Sequence, residues 1–172
     1  MKKILIELCR GLIEALVIVV LIVSVAYAAT GSWHIGFAIE SGSMEPNMNE
    51  GDLIFVQAPQ RTDIVTYEDG KLLNHRSFGD YGDVIIFRPD GLNDVTPIIH
   101  RAMYWVEAGE KMPNDKPAPH AGFITKGDNN PDYDQSAFML GIEPVKPEWV
   151  IAVARIQVPY LGYPSLILRK AF

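Results

Sequence analysis

A chain of 172 residues, 48% hydrophobic and 21% charged, suits one domain of ordinary size with an appendage and excludes a disordered tail. Its net charge of −6, with no basic cluster, argues against nucleic acid as a partner. The single cysteine, Cys9, excludes an intrachain disulfide and a cysteine-based zinc site, and beside an apolar segment it reads as packing or a lipidation site rather than a thiol catalyst.

The chain opens on "MKKILIELCR", with Lys2, Lys3 and Arg10, and then runs apolar to Ala29 with only Glu14 interrupting. Leu12 to Ala29 is 18 residues, about 27 Å as a helix and close to the thickness of a bilayer core. Glu14 lies four residues from Arg10 and can pair with it in the headgroup layer. "AYAA" at 26–29 resembles a signal-peptide cleavage site, with a cut at Ala28 as the alternative. The run is longer than the core of a signal peptide, which favours a retained anchor over residues 1–30. Positive charge before the segment holds the N-terminus in the cytosol and sends residues 31–172 across.

Beyond residue 30 the pattern predicts mainly β structure. "GFAIES" (36–41) and "GDLIFVQA" (51–58) are strand-like runs separated by the bend "GSMEPNMNE". "TDIVTYED" (62–69) alternates and stops at Asp69-Gly70, a hairpin signal. "GDVIIFRP" (82–89) predicts a strand ended by Pro89-Asp90-Gly91. "TPIIHRAMYWVEAG" (96–109) is the longest candidate, with Ile98, His100, Ala102, Tyr104 and Val106 on one face. Residues 110–122 read as a loop, 122–135 as a strand running into a polar turn, and 148–162 as a final strand. Helical periodicity is confined to "PSLILRKAF" at the end. The expected architecture is a mostly antiparallel β domain on a membrane helix.

Three features can carry chemistry, each with a plainer alternative. Ser43 sits in a bend between Gly42 and Pro46, which suits a rigid exposed nucleophile with backbone N–H groups nearby, but serine also caps ordinary turns. His100 lies in an apolar strand, where an imidazole is either a general base or a core group bonded to a carbonyl. His34, His75 and His120 are scattered without metal-ligand spacing. "KGDNNPDYDQ" (126–135) crowds Asp128, Asp132 and Asp134 in a turn. It lacks the glycine and glutamate of an EF-hand, so a solvated turn, a looser calcium site and a carboxylate that orients a histidine stay open.

The series "SGSMEP" (41–46), "GDLIFV" (51–56), "GDVIIFR" (82–88), "IIHR" (98–101), "TKGDNN" (125–130) and "VARIQVPYLG" (153–162) resembles type I signal peptidase, in its archaeal and endoplasmic-reticulum branch. The resemblance spans residues 36–162 and includes the anchor. It implies a signal-peptidase-type β fold and a membrane-bound serine endopeptidase that removes signal peptides, with no cofactor or metal. Ser43 matches the nucleophile and His100 the base. The bacterial branch has a lysine where this chain has "IIHR", so a serine–lysine mechanism is disfavoured, and Lys126 lies in another motif. Asp134 is expected to orient the histidine and Asp128 to support it, with Asp132 an extra carboxylate. Where similar proteins have glycine before the final strand's arginine, this chain has Ala152 and Ala154, a change expected to affect packing. No second apolar span follows before Phe172.

The implied substrates are preproteins cut after small residues. The substrate is expected to add as a strand near residues 36–41 or 98–106, with small side chains in shallow pockets. The Ser43 N–H and the Ser41 hydroxyl would hold the oxyanion, and Met44 would form a lip dipping into lipid. Membrane lipid and a secretion translocon or accessory subunits are the further partners. Two rivals remain: a non-catalytic tethered β module that binds an exported partner, and a serine–lysine autoprotease. The first would scatter Ser43, His100 and Asp134; the second would bring a lysine to Ser43.

Overall fold

A computed structural model describes residues 2–136 and 139–171. The apolar N-terminal run forms one helix, α1 (Lys2–Thr30), whose stretch Ile6–Thr30 has a mean hydropathy of 2.6 and an apolar window with no buried residue. It is long and apolar enough to cross a membrane. Arg10 Nε donates to Glu14 Oε1 at 2.9 Å, the pairing expected one helical turn apart.

The remainder builds a curled, wholly antiparallel sheet. Its strands are β1 (Gly36–Ala38), β2 (Leu53–Gln57), β5 (Val84–Phe87), β6 (Ile98–Val106), β7 (Gly122–Lys126) and β8 (Val150–Val158), in the order β1-β2-β8-β5-β6-β7. A small hairpin, β3 (Arg76–Ser77) with β4 (Asp80–Tyr81), stands apart from it. The last helix, α3 (Tyr163–Ala171), covers most of the predicted terminal segment; Phe172 lies outside the described residues.

The core follows the pleat. Ile54 and Val56 point inward and join Ile39, Met44, Met48, Val84, Ile86, Ala152 and Ala154 in one buried cluster. Ala152 and Ala154 are wholly buried where β8 passes between β2 and β5. Leu53 and Phe55 take the opposite face of β2, opposite Val158 and Ile156 of β8. That face stays apolar although it is open; Ile156 is 60% exposed, and Tyr160 and Leu161 just beyond β8 are exposed as well.

Three expectations are corrected. Residues 62–69 form no strand: Thr66 caps a helix, α2 (Tyr67–Leu73), its Oγ1 accepting the Asp69 N–H at 3.2 Å, with Glu68 and Asp69 in the first turn. Asp69-Gly70 therefore lies inside a helix, and Gly70 is there because the Gly82 backbone passes where a Cβ would sit, 2.5 Å away. The strand expected over 36–41 is only three residues long. Strand β6 carries a bulge at Met103, so Ala102 pairs with Thr125 and Tyr104 with Ile124. His100 and Ala102 thus share one face, while Tyr104 and Val106 turn to a second cluster with Ile124 and Met112.

The bend between β1 and β2 is held at its base by Asp52, 1% exposed. Burial opposes its charge, but the Asn49 N–H, the Gln157 amide and the Tyr160 N–H outweigh that and keep its pKa below the ordinary 3.8. The folded form binds this proton less tightly than the unfolded chain, so the contribution is complete above that value and is lost as pH falls through the folded one. Asp52→Asn is expected to cost about 1–3 kcal/mol near neutral pH. In thermal melts, the gap between it and the parent should narrow below about pH 4; a constant gap rules the linkage out.

Candidate active site

The bend that carries Ser43 is rigid for a packing reason. Residues Gly42–Met44 form a single 3₁₀ turn, and Met44 (1% exposed) and Met48 (0%) plug into the core beneath it. Methionine fills this irregular space between sheet and bend. Met44 therefore forms no lip toward lipid; it lines the floor of a cleft from below. Ser43 stays at the surface of the turn, and the exposed Ser41 hydroxyl lies 3.3 Å from its Oγ.

His100 reaches the same point from the middle of the sheet. Its Nε2 is 3.1 Å from Ser43 Oγ and its Nδ1 is 2.7 Å from Asp134 Oδ2. The imidazole is 5% exposed and Asp134 is wholly buried. An imidazole held this way can take a proton from the hydroxyl on one side while the carboxylate balances the resulting charge on the other. The scatter that a mere binding module predicts is absent: residues 57 and 34 positions apart converge within hydrogen-bond reach. Lys126 bonds the Pro131 carbonyl and Asp132 is exposed, so neither belongs to this chain of contacts. The other histidines are elsewhere, His34 stacked on Phe37, His75 hydrogen-bonded to Asp83 and His120 to Glu143.

Asp128 lies close by but does different work. Both its oxygens take Arg101, at 2.8 Å from Nε and 2.6 Å from Nη2, and Oδ2 also accepts from Asn47 Nδ2 at 2.8 Å. Arg101 is 1% exposed and donates further to the carbonyls of Ser77, Tyr81 and Gly82. The next residue, Asn129, grips the serine bend twice, N–H to the Ser43 carbonyl at 2.9 Å and Nδ2 to the Gly42 carbonyl at 3.0 Å. Gly127 completes the clamp; a Cβ there would lie 2.6 Å from the Ser43 carbonyl oxygen and 2.9 Å from His100 Nε2. Sequence reasoning gave Arg101, Asn47 and Asn129 no role. The available signal was an arginine beside the strand histidine, a charge that cannot be buried without an acidic partner.

The cleft, roughly 580 Å³, runs between Phe37–Ser41 and Thr96–His100, with Ser43 and Met44 at its base. Both walls are sheet edges. Among the described residues no strand pairs with the outer edge of β1, and β7 pairs with β6 only from Arg101 onward. The edge at 98–106 is thus open only over Ile98–His100; the rest is interior. Glu40 and Arg169 form an ion pair at the rim.

Residues 10–104 match the family described as signal peptidase, peptidase S26. The signal peptidase complex catalytic subunit SEC11 of Schizophyllum commune is 30% identical over 139 residues, covering 74% of this chain and 61% of the fungal protein. SEC11C of Homo sapiens is 30% identical over 139 residues, 81% of this chain and 59% of the human protein. SEC11 of Komagataella phaffii is 28% identical over 131 residues, 76% of this chain and 64% of its own length. The chain therefore spans about three fifths of the length of these relatives. Because the family match extends over more than half of its residues, the chain belongs to the signal peptidase family, peptidase S26.

Proposed function

We propose that this chain is a membrane-bound serine endopeptidase that removes N-terminal signal peptides from exported preproteins, cutting after small residues. The observation that carries the proposal is the Ser43–His100–Asp134 contact chain at the base of a cleft walled by two open strand edges. An extended substrate segment can pair with β1 and with Ile98–His100, which leaves its backbone fixed and its side chains facing shallow apolar walls. Ser43 Oγ attacks the scissile carbonyl and its proton passes to His100 Nε2, while Asp134 holds Nδ1–H. The Ser43 N–H and the Ser41 hydroxyl receive the oxyanion. The imidazolium protonates the leaving amine, and a water repeats the sequence on the acyl-enzyme. Asp128 acts at one remove, by fixing the turn that grips Ser43.

Residues 1–30 serve as the retained anchor with the N-terminus cytosolic, and residues 31–172 as the catalytic part on the far side. The positive charges of Lys3 and Arg10 before the span support this orientation. Lipid contact falls to the open face of Leu53, Phe55, Ile156 and Val158 with Tyr160 and Leu161, which is apolar where a solvated sheet face would be polar. Relatives named as subunits of a signal peptidase complex support accessory subunits as partners.

Cleavage of a model preprotein in detergent tests the base. His100→Lys should be inactive, because Asp134 is placed to accept from a ring nitrogen that an ammonium does not reproduce.

A further inference from the structure

The hydrogen-bond chain continues behind Asp134, and its direction can be read from donors and acceptors. Thr125 on β7 and Gln135 just after Asp134 are both wholly buried. Gln135 Oε1 accepts the Thr125 backbone N–H at 2.9 Å, which fixes the amide so that Nε2 must face the other way. Nε2 donates to Thr125 Oγ1 at 3.2 Å, and the Glu143 carbonyl lies 3.5 Å from it. With its oxygen engaged as an acceptor, the threonine hydroxyl has one proton to give, and Asp134 Oδ2 stands 2.7 Å away. The same Oδ2 faces His100 Nδ1, and the Asp134 N–H is tied to the Thr125 carbonyl at 2.9 Å.

We infer that Thr125 and Gln135 are positioning residues that set the proton arrangement of the site. Gln135 turns the threonine hydroxyl toward Asp134. The carboxylate is thereby kept an acceptor, the histidine keeps its proton on Nδ1, and Nε2 is left with a lone pair toward Ser43. Asp134 Oδ1 is buried with no partner among the described residues, so Oδ2 carries the hydrogen-bonded support of the carboxylate. Losing the hydroxyl removes one of the two side-chain donors to that oxygen. The consequence for rate rests on the proteolytic reading above; the proton arrangement itself does not.

The test replaces the hydroxyl without changing shape. Thr125→Val should lower kcat for preprotein cleavage by about tenfold to a hundredfold with KM unchanged, and Thr125→Ser should restore it. Gln135→Met, which frees the hydroxyl to turn away, should lower kcat in the same direction. In the proton NMR spectrum the Nδ1–H resonance of His100 should move downfield in Thr125→Val, since the carboxylate left with one fewer donor binds that proton more strongly, and return in Thr125→Ser. A Thr125→Val enzyme within about twofold of the parent, or a loss that serine does not restore while the melting temperature is parental, overturns the inference and leaves the proteolytic reading standing. A parent that cleaves no preprotein overturns that reading instead, and the resonance then decides alone: unmoved in Thr125→Val, it overturns the proton arrangement too.

Discussion

Ser43→Ala is expected to abolish preprotein cleavage, with a loss on the order of 10⁴-fold or more in kcat, while leaving the fold intact. The hydroxyl is the atom that His100 faces, and among the described residues no other side-chain hydroxyl has a hydrogen bond to that imidazole. The adjacent Ser41 points to Ser43 rather than to the histidine, so it offers no substitute nucleophile. What holds the bend is the burial of Met44 and Met48 and the Asn129 clamp on backbone carbonyls, none of which uses the serine side chain. A melting temperature unchanged from the parent should therefore accompany the loss. Activity near that of the parent ends the proposal that this chain is a serine peptidase.

Arg101→Leu has the opposite signature, a large loss of stability. The guanidinium is buried with the Asp128 carboxylate and four backbone carbonyls, those of Ser77, Phe78, Tyr81 and Gly82, as its partners. Removing it leaves the Asp128 charge with Asn47 but no cation beside it, and takes a donor from each of four carbonyl oxygens. Breaking one partner of a buried pair costs about 3–5 kcal/mol, or roughly 6–20 °C in melting temperature for a chain of this size. Asp128→Leu in the same molecule removes the stranded charge and should recover part of the loss, a non-additivity that a double-mutant cycle measures. A single Arg101→Leu variant melting within about 2 °C of the parent shows that the pair is not what holds the turn.

Ser43, His100 and Asp134, which the fold brings together, stood out in the sequence because each breaks a local habit. A serine and a methionine occupy a bend, a histidine occupies an apolar strand, and three carboxylates share one turn. The supporting groups were less legible because their partners lie far away in the chain. Arg101 is 24 positions from Ser77 and 27 from Asp128, and nothing local shows that these will meet. Thr66 was misjudged for a different reason. Asp69-Gly70 was weighed as a hairpin turn, while the Thr66–Asp69 cap three residues apart, which competes for the same stretch, prevailed. The Met103 bulge has no composition signal, so a strand face predicted by strict alternation held to Ala102 and failed at Tyr104. Met44, expected as a lip dipping into lipid, instead fills the hollow beneath the bend, which needs a flexible apolar side chain.

The strand order has a consequence for when the three groups can meet. Ser43 belongs to the β1–β2 half and His100 and Asp134 to the β5–β7 half, and among the described residues the two halves share strand pairing only through β8 between them. Residues 150–158 leave the ribosome after everything else in the sheet. Until they do, a nascent chain carries Ser43 on one piece and His100 with Asp134 on another, with no strand yet in place to join them.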